Sequence, residues 1–203
     1  MNWRAARAED APVALPLIHA TMGAFADFLF GVGSSALARR NLEALFRHPR
    51  NRLSHAFTQL LEHDDEIIGL LIAYPGALLP RLDLHTAAVM LPLLGWRKSL
   101  TFIRRAAAFS GVREAHSGEV YIQALAVSPS HRGRGVGKAI LEHAAQTARA
   151  LRLSALSLLV SLENLPAQRL YLGAGFEVDR EYRFSHLERE TDIPGFWRMV
   201  KRL

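Results

Sequence analysis

The chain contains no cysteine. Disulfides, zinc–thiolate sites and cysteine nucleophiles are therefore excluded, and a reducing compartment is compatible with the composition. Long apolar runs are also missing. The longest, Thr86 to Trp96, is interrupted by Pro92 and Gly95 and falls far short of the roughly 20 residues that span a bilayer. The first residues, MNWRAARAEDAP, hold no apolar segment of the kind that targets a chain for secretion. The expectation is a cytoplasmic protein that does not bind membrane. Nor is there a basic stripe interleaved with stacking aromatics. The net charge is +6, but the 25 Lys and Arg are scattered, with short pairs only at Arg39-Arg40 and Arg104-Arg105, so nucleic acid is not an expected partner. A mildly basic field would, however, suit a polyanionic ligand. Repeats and low-complexity linkers are absent. The 203 residues, 50% hydrophobic and 22% charged, read as a single globular domain over 1–203.

What is present is concentrated between Val120 and Leu151. Tyr121, Ile122, Leu125 and Val127 mark a strand, and Ser128-Pro129-Ser130 stops it because proline has no N–H to donate. Arg132-Gly133-Arg134-Gly135-Val136-Gly137 follows, then a helix with Val136, Ile140, Leu141, Ala144, Ala145, Ala148 and Leu151 on one face. A strand, a glycine-rich turn and a helix N-terminus make an anion site. Glycines leave N–H groups uncovered, the helix end is partially positive, and Arg132, Arg134 and Lys138 add full charges. The expected guest is a phosphate or pyrophosphate. A P-loop is excluded, because Gly137-Lys138 is followed by Ala139 and the first-glycine position is Arg132. The dinucleotide fingerprint fails as well, since its third glycine would fall on Lys138 and the turn lies past mid-chain.

The rest of the chain supplies the context. A short strand at Trp3–Ala6 precedes a helix opened by Asp10 and Pro12. A second helix begins at Ser34 or Ser35 and ends before Pro49. Between them Phe25, Phe28, Leu29 and Phe30 read either as core or as one wall of a cleft. Two β-type runs, His55–Leu61 and Ile67–Tyr74, flank an acidic turn and predict a hairpin. Residues 76–118 read as a helical insertion, broken at Gly95, that either shapes specificity or completes the core. Ser154–Ser161 reads as a buried strand. A helix over Ala167–Leu172 and strands at 176–184 and 196–200 complete the series.

Asn164-Leu-Pro-Ala167-Gln-Arg-Leu170-Tyr171-Leu-Gly-Ala-Gly175-Phe176 resembles the pattern Asn-x-x-Ala-x-x-Leu-Tyr-x-x-x-Gly-Phe of the GNAT N-acetyltransferase superfamily. Arg132, Gly135 and Gly137 are similar to that family's Arg/Gln-x-x-Gly-x-Gly/Ala loop for acetyl-coenzyme A, and Leu125-Ala126-Val127 resembles the end of its cofactor strand. The resemblance implies an α/β (α+β) GNAT fold. Its mixed, twisted sheet has about seven strands with flanking helices and is splayed at the cofactor site, between 120–127 and 154–161. It implies acetyl-CoA as cosubstrate, with the pantetheine along Leu125, Ala126 and Val127 and the pyrophosphate on Arg132, Gly133, Arg134, Gly135, Val136, Gly137 and Lys138. No metal is called for.

The activity so implied is acetyl transfer to a primary amine, either a small molecule, a protein N-terminus or a lysine. The family's thiolate proton donor corresponds to Tyr171, and Asn164 to a pantetheine contact that also suits a helix N-cap. A phenol near pKa 10 matches a thiolate in basicity. The base is open. The positions matching family carboxylates, Tyr121 and one near Leu159, are not acidic. Glu119, two residues before Tyr121 and on its strand face, is the candidate, with His116, Glu163, His186 or solvent as alternatives. A non-catalytic coenzyme A-binding regulatory module is the second reading. The oligomeric state is open, a homodimer being one option.

Overall fold

The computed structural model describes residues 1–203. Its elements in chain order are β1 (Asn2–Ala5), α1 (Ala11–Met22), α2 (Ala24–Leu29), α3 (Ser35–Arg47), β2 (Thr58–His63), β3 (Glu66–Pro75), α4 (Leu79–Ala107), β4 (Glu119–Val127), α5 (Val136–Ala150), β5 (Ala155–Ser161), α6 (Leu165–Gly173), β6 (Glu177–Arg183), α7 (Ser185–Thr191) and β7 (Gly195–Arg202). The seven strands form one sheet in the order β1-β2-β3-β4-β5-β7-β6. Every neighbouring pair is antiparallel except β4 and β5.

The β4–β5 pairing is the feature that makes a site. β4 pairs with β3 from Val120 to Val127, Gln123 excepted. It pairs with β5 only from Glu119 to Ile122, opposite Ala155 to Leu158. Beyond Ile122 the two strands diverge, and the β4 edge that faces β5 has no strand on it. A register shift in the β3–β4 ladder leaves Gln123 without a partner. This bulge changes which face the following residues occupy. Tyr121, Ala124 and Ala126 pack into the core beneath α1, α3 and α4, while Val120 and Ile122 pack into the core beneath α5.

The helices follow from local chemistry. α5 buries Val136, Ile140, Leu141, Ala144, Ala145 and Ala148 on one stripe. α6 opens on Asn164, whose side chain accepts from the Ala167 N–H at 3.2 Å. In the β2–β3 hairpin, Asp64 and Asp65 both adopt positive φ, 50° and 61°, the conformation a two-residue hairpin turn requires. The insertion is α4, and it breaks at Gly95, whose φ of 67° and ψ of 166° are non-helical. With the turn before it, the stretch Gly76–Ala107 is long and apolar enough to cross a membrane by length and composition alone. Here Leu79, Leu82, Thr86, Met90, Leu94 and Phe102 are buried against the domain. Two helices were not expected from the sequence, α2 within the phenylalanine-rich segment and α7 after β6. Both are short, at 6 and 7 residues, below the length at which a 3.6-residue period can declare itself.

Candidate active site

A cavity of about 1160 Å³ occupies the fork between β4 and β5 and continues beneath α1 and α4. One end is built from the glycine turn. Gly133 and Gly135 adopt φ of 74° and 81°, and a Cβ placed on either would meet nothing within 4 Å. The left-handed backbone thus surrounds open space on the side where an anion would sit. The first turn of α5 has no side-chain cap, and the N–H groups of Val136, Gly137 and Lys138 have no acceptor within the protein. Gly137 has a different reason for being glycine. A Cβ there would lie 2.9 Å from Leu170 Cδ2, so the residue permits close packing of α5 on α6.

Leu125, Ala126, Val127, Arg132, Gly133, Gly135, Val136, Gly137, Lys138, Asn164 and Tyr171 all line this cavity; of the residues assigned to the coenzyme, Arg134 alone does not. Arg132 Nε donates to the Val127 carbonyl at 3.3 Å, which joins the turn to the unpaired edge. Tyr171, 8% exposed, lies on α6 with its ring 5.7 Å from that of Phe176. Burial pushes its phenol up to about 12, so the group holds its proton throughout the neutral range.

Glu119 requires a correction. It does not line this cavity. It belongs to a separate depression with His116, Ser154, Asp179 and Arg198. Both carboxylate oxygens accept from Arg198 Nη2, at 2.7 and 2.5 Å, and Oε2 also accepts from the His116 N–H at 2.9 Å. Burial would raise this carboxyl, but the bonds and charge of Arg198, the His116 N–H and Ser157 together hold it below the usual glutamate range. A carboxylate so saturated is a poor base. Glu119 does share the strand face of Tyr121, but the offset of two positions carries it roughly 7 Å further from the fork, where β7 supplies a partner. Of the alternatives, neither His116, Glu163 nor His186 lines the cavity.

The other end of the cavity holds the charged residues that the sequence did not reveal. Arg52, from the loop after α3, reaches Glu114, from the loop before β4. Its Nη1 donates to Glu114 Oε1 at 2.9 Å and to Asp83 Oδ1 at 3.0 Å. Nη2 donates to the second Glu114 oxygen, and Nε donates to Gln123 Oε1 at 2.9 Å. Gln123 is the bulge residue, and the same oxygen accepts from the Tyr74 hydroxyl at 2.8 Å. Burial raises the Glu114 carboxyl, but the charge and bonds of Arg52 hold it low. Asp83 goes the other way, raised by burial more than Arg52 lowers it. Neither loop carries periodicity or a motif, and Arg52 and Glu114 are 62 positions apart, so no local signal joins them.

Around this charged group the wall is apolar. Met22, Phe25 and Leu29 come from α1 and α2, Phe102 and Ala106 from the far half of α4, and Phe196 from β7. Residues 22–30 and the 76–118 insertion therefore each form one wall of the same cavity.

A seven-stranded sheet forked beside a glycine turn defines the N-acetyltransferase class of α/β fold. A sequence model of the acetyltransferase (GNAT) family matches residues 24–176, and the chain belongs to that family. N-acetyltransferase 8B of Rattus norvegicus is 39% identical over 84 residues, a match covering 40% of this chain and 38% of that protein. Among solved structures, an N-acetyltransferase from Staphylococcus aureus Mu50 superposes with a TM-score of 0.72 at 18% identity, covering 98% of this chain and 100% of its own. A PaiA N-acetyltransferase from Thermoplasma acidophilum, solved in complex with coenzyme A, gives 0.57 at 11% identity over 100% and 98% of the two chains. These structural likenesses establish the fold.

Proposed function

We propose that the protein moves an acetyl group directly from acetyl-CoA to a primary amine. The observation that carries this reading is a single cavity that joins the unpaired β4 edge at Leu125–Val127, the uncapped α5 N-terminus and Tyr171. When bound, acetyl-CoA supplies an activated thioester, so that a C–N bond replaces a C–S bond while nitrogen loses a proton and sulfur gains one. The remaining work falls to residues of this chain. Backbone groups of Leu125, Ala126 and Val127 hold an extended amide chain by strand addition. The N–H groups of 136–138, with Arg132 and Lys138, hold the pyrophosphate. An N–H near Val127 faces the developing oxyanion. Tyr171 holds the proton delivered to sulfur.

The test has two parts. Acetyl-CoA should raise the melting temperature saturably, and thiol should be released when amines are added. No thermal shift at millimolar coenzyme would overturn the reading. A shift without thiol release from any amine would favour a coenzyme A-binding regulatory module, a reading that the sequestration of Glu119 supports.

A further inference from the structure

Beyond the residues assigned to the coenzyme, the cavity continues to an Arg52 end whose chemistry is uneven. The only charged side chains lining that end are Arg52, Asp83 and Glu114, one cation against two carboxylates. Both carboxylates are tied to the same guanidinium nitrogen, so they lie within reach of one further cation. Arg52 is already engaged through Nε, Nη1 and Nη2, which leaves the excess charge of the trio negative and uncompensated. The surplus carboxylate charge, held beside apolar walls, is a place for one further cation.

The walls specify what that cation carries. Phe25 packs edge-on against Phe109, with ring centroids 5.4 Å apart, and against Phe196 at 5.6 Å. Phe102, Met22 and Leu29 complete an apolar surface with no second charged group to meet a carboxylate, a phosphate or another ammonium. Asp83 is 54% exposed along its side chain, whereas Arg52 and Glu114 are 17% and 19% exposed. The charged trio therefore runs from the solvent boundary inward.

We propose that the acceptor is an apolar primary amine, its ammonium held by Asp83 and Glu114 and its hydrocarbon body by Phe25, Phe102, Phe109 and Phe196. This rests on the acetyl-transfer reading above and adds the substrate class to it. A polyamine would place its second ammonium against the phenylalanines, and a free amino acid would place its carboxylate against them or against Asp83.

The experiment separates the two claims. Phenethyltrimethylammonium carries the cation and the ring but cannot be acetylated, so its binding is measured independently of turnover, by thermal shift and by titration calorimetry. Wild type is expected to bind it, and Asp83→Asn to bind it at least tenfold more weakly while acetyl-CoA stabilises both proteins equally. In a turnover panel, phenethylamine and hexylamine should exceed spermidine, phenylalanine and a peptide N-terminus in kcat/KM. Absent binding in wild type, or equal binding by Asp83→Asn, overturns the inference. Turnover of spermidine, phenylalanine or the peptide in preference to phenethylamine also overturns it and leaves acetyl transfer standing. Cation binding with no turnover of any amine supports the pocket assignment and counts against acetyl transfer.

Discussion

Glu119 of β4 and Arg198 of β7 meet across β5, with both carboxylate oxygens on a single arginine nitrogen, 2.7 and 2.5 Å away. The residues are 8% and 1% exposed. Arg198 also holds Asp179 through Nη1 at 2.7 Å. The pair is thus a clamp between strands, and its loss leaves a buried guanidinium half-compensated.

Glu119→Gln is expected to destabilise the fold by about 3 kcal/mol, read by chemical denaturation, with kcat unchanged at temperatures where the variant is folded. The effect depends on pH with a definite sign. The Glu119 carboxyl is held below its ordinary 4.5 in the folded chain. Its contribution is therefore complete above that value and is lost as pH falls through the depressed one. The gap in melting temperature between wild type and variant should narrow below pH 4.5. A large fall in kcat with stability intact would restore Glu119 as a base.

Tyr171→Phe should lower kcat about 100-fold while leaving thermal stabilisation by acetyl-CoA in place. Because burial raises the wild-type phenol to about 12, kcat should show no loss near pH 10, where a free tyrosine would ionise. Unchanged kcat in Tyr171→Phe would remove the proton role from this residue.

Gly135 tests the anion turn when two variants are compared. Its φ is 81°, a conformation that Asn and Asp both tolerate better than other residues. Gly135→Asn and Gly135→Asp therefore share backbone strain and differ in charge. Coenzyme A should bind the Asp variant at least tenfold more weakly than the Asn variant, a difference of about 1.4 kcal/mol, measured by calorimetry. Equal affinities would move the pyrophosphate elsewhere.

Gly95 should prove necessary to the cavity's shape. Its φ and ψ of 67° and 166° belong to a region that is essentially restricted to glycine, and a side chain there costs about 1–3 kcal/mol. Gly95 separates Asp83, Thr86 and Ala87 from Phe102 and Ala106, all of which line the cavity. Gly95→Ala is expected to raise the KM of the amine and leave that of acetyl-CoA unchanged.

The glycine-turn end of the cavity is legible in the sequence and the charged Arg52 end is not, for a physical reason. The turn at 132–137 and the helix behind it are local. Glycine, a stop at Pro129 and an apolar stripe lie within 25 residues of one another, and each leaves a mark on the chain. Tyr171 and Asn164 are likewise fixed by the short helix that contains them. Alternation along β4 correctly put Glu119 on the Tyr121 face, but a strand's period says nothing about what lies across from it. Arg198 is 79 positions away. The same holds for Arg52, Asp83 and Glu114, which come from two loops and a helix and become a site only when the sheet brings them together. Gly137 reads from the sequence as part of the phosphate cradle, whereas in the fold a Cβ there would lie 2.9 Å from Leu170 Cδ2, so it also permits the close packing of two helices.

The fork between β4 and β5 divides the sheet into a four-stranded leaf, β1 to β4, and a three-stranded leaf, β5 to β7, joined only between Glu119–Ile122 and Ala155–Leu158. The fork opens beside 123–127 of β4, whose edge toward β5 carries no strand. A ligand that fills it with its own amides becomes a temporary eighth member of the sheet and ties the leaves together over their full length. Amide hydrogens of β5 and β7 that do not touch the ligand should then exchange more slowly with solvent once it is bound. The coenzyme would be a piece of the scaffold for as long as it stays.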